Sequence, residues 1–115
     1  MADLQRILRE LRVEFGATAS AIIGRDGFLI AGDMPERVAP ETLTIMCATM
    51  MGAAVTAHSE LRIGQPRMIR LTSDKHEMLM TGAGRKAIII VVVPRESNME
   101  GLQQKLSKIS EQMSE

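Results

Sequence analysis

Few side chains in this sequence are suited to nucleophilic or metal chemistry: one cysteine, Cys47, and two histidines, His58 and His76. A metal site needs ligands at short recurring spacings, and a nucleophile needs a base within reach. These three residues form neither pattern. Cys47 stands in an apolar helical stretch, where a thiol behaves as a small hydrophobe, and both histidines read as surface residues. Asp26 and Asp33 could be paired as acid and base, yet turn aspartates usually serve their own backbone. Gly82-Ala83-Gly84-Arg85 has the glycine content of a phosphate loop, but a strand follows it instead of a helix and no Gly-Lys-Ser/Thr ends it, so it reads as a hairpin turn. Arg25 and Arg85 also stand in turns, from which an arginine could complete a partner's phosphoryl-transfer site; the plainer reading is solvated turn residues. No catalytic residue, metal ligand or cofactor is assigned on this basis.

The elements that carry these residues follow from hydrophobic periodicity. Leu4, Ile7, Leu8, Leu11 and Phe15 recur at helical spacing with charges between them, which predicts an amphipathic helix over about 2 to 15, ended by Gly16. Two short apolar runs, 19 to 24 and 28 to 32, flank Arg25-Asp26-Gly27, a strong hairpin signal. Pro40 and Glu41 suit the first turn of a second helix, since proline loses no hydrogen bond there and a carboxylate meets the positive helix end. That helix runs to about Leu61. Gly64-Gln65-Pro66 breaks the chain before three further strands, at about 67 to 72, 77 to 81 and 86 to 93. The last is apolar on both faces, so it is expected at the sheet centre with helices above and below. Ser97 with Glu100 reads as a capping box for a closing helix whose stripe is Met99, Leu102, Leu106, Ile109 and Met113. The expected order is αββαβββα. Short turns favour antiparallel pairing, which gives an α+β sandwich with a five-stranded antiparallel sheet, one helix on one face and two on the other.

The second helix carries more apolar surface than one sheet can bury. Leu43, Met46, Cys47, Met50, Ala54, Ala57 and Leu61 gather on one face and suffice for a core. Ile45, Ala48, Met51, Gly52 and Val55 form a second apolar patch, rich in small residues that let another helix approach closely. A twofold pairing of this helix with its own copy is the economical cover; the alternative is that the other helices bury the patch within the monomer. If the third strand is a sheet edge, its copies could also pair across the twofold, which brings Met68 and Arg70 into the interface. Arg67 and Arg70 could otherwise be ordinary edge-protecting charges. Thr42, Thr49, Thr56 and Glu60 make the only clearly polar strip of the helix. Charge on the opposite side of the ledger excludes other classes: lysine plus arginine equals aspartate plus glutamate at 14 each, so no overall field attracts nucleic acid or an anionic membrane. With no Trp or Tyr and only Phe15 and Phe28, base stacking is not expected either. The 115 residues suit one domain, 1–115. The unpaired cysteine, the absence of a visible export signal and of a run of about 20 apolar residues predict a soluble, cytoplasmic chain without membrane insertion.

The segment 16 to 32, with its Asp26-Gly27 turn between two short strands, resembles the opening hairpin of the roadblock/LC7 domains, and the element order matches over nearly the whole chain. Ser97-Asn98-Met99-Glu100-Gly101 looks like a variant of the family's Ala-Asn-Leu-Gly motif, its glycine displaced by one residue. The resemblance implies a homodimer or heterodimer whose paired central helices and continuous sheet form a platform, in a family whose members bind Ras-like small GTPases or serve as dynein light chains. It implies a non-catalytic regulator that biases a GTPase toward one nucleotide state, with contact through Thr42, Thr49, Thr56 and Glu60. Two other readings stay open: a small-molecule sensor, for which Ser20 and Thr81 are the main strand polar groups, and a structural assembly subunit without nucleotide-state preference.

Overall fold

The computed structural model describes residues 3–113. The elements follow in the order α1 (Leu4–Phe15), β1 (Ala19–Gly24), β2 (Leu29–Asp33), α2 (Pro40–Leu61), β3 (Met68–Thr72), β4 (His76–Ala83), β5 (Ala87–Pro94) and α3 (Met99–Met113). This is the expected αββαβββα sandwich. Its five strands lie antiparallel in the order β2-β1-β5-β4-β3, so β5 is central and β2 and β3 are the edges.

The alternation of β5 explains the two cores. Ile89, Val91 and Val93 point to one face, where they pack with Leu8 and Leu11 of α1 and with Leu102, Leu106 and Ile109 of α3. Ile88 and Ile90 point to the other, where Ala21, Ile23, Met80 and the α2 residues Cys47 and Met51 meet them. A strand buried on both faces must be apolar at every position, which is what the Ile-Ile-Ile-Val-Val-Val run supplies. On the edge strand β2, Ile22 faces Ala31 while Ile23 faces Leu29, so Ile30 has no opposite number. That bulge twists the edge and makes it a poorer template for a further strand.

Local signals set the helix ends. The Asp3 carboxylate accepts from the Arg6 amide at 3.2 Å, capping α1, and Gly16 ends it in the left-handed conformation at φ 69°. The cap of α3 differs from the sequence expectation. The helix starts at Met99, so Asn98 is the cap and accepts from the Gly101 amide at 3.0 Å. Ser97 lies one residue too early to cap, and its hydroxyl instead donates to the Phe15 carbonyl at 3.1 Å, tying the start of α3 to the end of α1. Lys105 reinforces the same pairing with contacts to Glu10 at 3.0 Å and Glu14 at 3.4 Å.

Candidate functional site

At about 3.6 residues per turn, the arc of α2 that meets the sheet is centred on Thr44, Cys47 and Met51. Thr44 tolerates burial because its hydroxyl donates to the Glu41 carbonyl at 3.2 Å within the helix. Burial pushes the Cys47 thiol up to about 11, so it stays protonated. Cys47 is thus the small core hydrophobe expected of it.

The roll of α2 departs from the sequence reading in both directions. Met51, expected on the outer patch, is 2% exposed and belongs to the monomer core. Met46 and Leu61, expected on the core face, are 51% and 66% exposed. The physical reason is that α2 is apolar nearly all round, so its hydrophobic pattern has no sharp maximum to set the roll. The rest of the expected outer patch divides. Ile45 and Ala48 lie beside the β1–β2 turn, where a Cβ added to Gly27 (φ 92°) would stand 3.5 Å from Ile45 Cγ1 and 3.9 Å from Ala48 Cβ. Val55 is half-buried, and Gly52 opens to solvent with nothing near its missing side chain.

The opposite flank of α2 turns away from the β1–β2 turn. Leu43 and Met50 pack with Ile69 of β3 and Met78 of β4 against the α2-side core. Met46, Ala53, Ala57 and Leu61 continue that flank outward and are exposed, as are Ile63 just past the helix and Leu71 on β3. The polar strip of Thr42, Thr49, Thr56 and Glu60 is exposed on the side directly away from the sheet. Thr49 turns its hydroxyl back onto the Ile45 carbonyl at 2.7 Å, which leaves its methyl outward. The exposed surface of this long helix is therefore mostly methionine, isoleucine, leucine, alanine, glycine and threonine, with Glu41, Ser59 and Glu60 among them.

On β3, Met68 and Arg70 do not point toward the α2 side. Met68 packs partly into the core beneath α1 and α3, and Arg70 is engaged by Glu77 at 3.0 Å. Glu77 is a buried carboxylate that the sequence reading missed. It accepts from Arg70 Nε and, at 2.7 Å, from the Thr72 hydroxyl, with Arg95 Nε 4.0 Å away. The Arg70 guanidinium and the Thr72 hydroxyl hold its carboxyl below the usual carboxylate value, against the opposing effect of burial. The available signal was phase: Glu77 alternates with Leu79 and Thr81, so it shares their inward face.

The remaining candidates are accounted for individually. Asp26 accepts from the Phe28 amide at 3.1 Å, a turn aspartate serving its own backbone, and Asp33 lies 3.5 Å from Arg12. Arg25 donates to the Arg85 carbonyl at 3.1 Å. His76 is exposed, while His58 is half-buried and donates from Nδ1 to the Ala54 carbonyl at 2.9 Å. Ser20 and Thr81 do not converge: they lie on β1 and β4 with β5 between them, and Thr81 donates to the Arg67 carbonyl at 2.8 Å. Ser20 Oγ is buried without a partner among the described residues.

One helix on one face, two on the other and a five-stranded antiparallel sheet define an α+β sandwich, and the sequence pattern of the Roadblock/LC7 domain matches residues 4–93. The chain belongs to the Roadblock/LC7 domain family. It is 28% identical over 96 residues to the uncharacterized protein MJ0310 of Methanocaldococcus jannaschii, covering 84% of this chain and 83% of that one. Its fold is similar to that of Myxococcus xanthus MglB, with a TM-score of 0.87 at 14% identity over 98% of this chain and 95% of the other. It is also similar to a structure described as MglB with tetrameric arrangement, with a TM-score of 0.85 at 18% identity over 96% and 84% of the two chains.

Proposed function

We propose that the chain is a non-catalytic regulatory subunit that pairs with a second copy of itself, and that the pair binds a Ras-like small GTPase and biases its nucleotide state. The observation that carries the reading is the exposed apolar flank of α2 together with an unpaired β3 edge. Met46, Ala53, Ala57 and Leu61, with Leu71 and Ile63 next to them, lack a cover, and twofold pairing supplies one. A stable interface of ordinary size buries about 1,600 Å² in total, which needs both a helix flank and a strand edge. The β3 backbones pair antiparallel across the twofold and remove two edges at once. Met68 and Arg70 then contribute through their backbone, because their side chains are already engaged. Ile45 and Gly52 border the helix pair, and Met51 supports it from within.

Thr42, Thr49, Thr56 and Glu60 stand on the top of that platform and form the proposed contact zone for the GTPase. A regulator of this kind needs no catalytic residue, only different affinities for the two switch conformations. Affinity for a cytoplasmic Ras-like GTPase, measured with GDP and with a non-hydrolysable GTP analogue bound, tests this. The reading expects at least about tenfold preference for one nucleotide state, equivalent to about 1.4 kcal/mol. It expects Thr49→Arg and Thr56→Arg to abolish binding while the dimer persists. Equal affinity for both states would replace regulation with a scaffold role.

A further inference from the structure

We propose that the end of the sheet formed by the β1–β2 and β4–β5 turns docks a carboxylate-rich segment of a partner protein. The two turns are joined: the Arg25 amide donates to the Lys86 carbonyl at 2.9 Å and the Arg25 guanidinium to the Arg85 carbonyl at 3.1 Å. The same guanidinium passes over Gly82, where an added Cβ would lie 2.9 Å from its Nη2. Beside it, Arg67 and Arg85 line a groove with Gly82, Gly84, Ser107 and Glu111, between the β4–β5 turn and α3. The Thr81 hydroxyl holds the Arg67 carbonyl at 2.8 Å and so fixes where Arg67 leaves the backbone.

Arg25, Arg67, Arg85 and Lys86 therefore share one end of the molecule, and all four are exposed. None has a carboxylate within 4.0 Å among the described residues, although Arg6, Arg12, Arg70, Arg95 and Lys105 all do. Arg9, Arg37, Arg62, Lys75 and Lys108 likewise have no carboxylate within 4.0 Å among the described residues, so these four are set apart by sharing one end, where Glu111 and Asp26 stand without pairing with them. Unpaired like charges repel, so an external anion relieves the cluster. The shape selects the class of anion. Arg67 and Arg85 line a groove between the β4–β5 turn and α3, which admits an extended chain and fits a flat lipid surface poorly, while Glu111 on the α3 side repels carboxylates from that wall and directs them to the arginines.

The test measures binding of fluorescent polyglutamate by anisotropy. Three proteins are compared: the wild-type chain, the triple variant Arg67→Glu, Arg85→Glu, Lys86→Glu, and a charge-matched control, Arg9→Glu, Arg37→Glu, Lys108→Glu. Arg25 is left intact because it holds the two turns together. The proposal expects wild-type binding that weakens about tenfold between ~0.05 and ~0.2 M salt. It expects at least about tenfold loss in the triple variant and less than about twofold in the control, with all three proteins matching in circular dichroism and thermal midpoint. Absent wild-type binding, or equal loss in both variants, would overturn it. Inorganic pyrophosphate binding as tightly as polyglutamate would also overturn it, in favour of a small-anion site. So would sedimentation with phosphatidylglycerol vesicles without polyglutamate binding, in favour of a lipid surface.

Discussion

Individual residues already separate structural from functional roles. Cys47 is wholly buried with its thiol held up at about 11, so the folded chain presents no thiolate at neutral pH. Ellman's reagent should therefore leave it untouched at pH 7.5 and react promptly once urea unfolds the chain; fast reaction of the folded protein would place Cys47 outside the core. Glu77 carries the clearest pH dependence. Its folded carboxyl binds a proton less readily than the ordinary value of 4.5, so its stabilising effect is fully present above that value. The effect is lost as pH falls from 4.5 through the lower folded value. Glu77→Gln should flatten the fall in thermal midpoint below that pH and lower the midpoint at neutral pH, where Arg70 loses its partner. Glu10, lowered in the same direction chiefly by the Lys105 hydrogen bond, leaves a residual acid dependence in that variant.

At the scale of elements, α2 decides what is core and what is surface. Met51→Ala should cost about 2–4 kcal/mol in urea unfolding, the usual range for emptying a buried methionine site. In an Ala57→Glu background, which keeps the chain monomeric, Met46→Ala should cost under about 0.5 kcal/mol, since exposed positions seldom matter more. Equal costs would contradict the roll of the helix described above. That roll was the least legible part of the fold. α1 was readable because charges separate its apolar positions, and β5 because six consecutive β-branched residues suit only a strand covered on both faces. The Asp26-Gly27 turn and Gly16 were readable from local conformational demands alone. α2 offered no such contrast, since Met46, Met51 and Leu61 are equally apolar and only the sheet decides which of them it covers. Likewise, Ser97 and Asn98 are both good caps, and the start of α3 at Met99 was set by contacts with α1 that no local pattern encodes. Glu77 escaped notice because its partners, Arg70, Thr72 and Arg95, come together only through strand pairing.

At the scale of the whole molecule, the two faces of the sheet are treated differently. α1 and α3 close one face and are cross-linked by Lys105 and Ser97, while a single helix covers the other and leaves an apolar flank running out to the β3 edge. A pair of chains would share one platform and carry two anion-binding ends. Everything proposed about a GTPase rests on the pair forming. The most direct measurement is the solution mass by light scattering of the wild-type chain and of Met46→Glu, Ala57→Glu, which places charges on the exposed flank without touching the core. A wild-type mass of two chains, falling to one in a variant that keeps its circular dichroism spectrum and cooperative unfolding, is the predicted result. A wild-type monomer, or a dimer indifferent to these two charges, would contradict it.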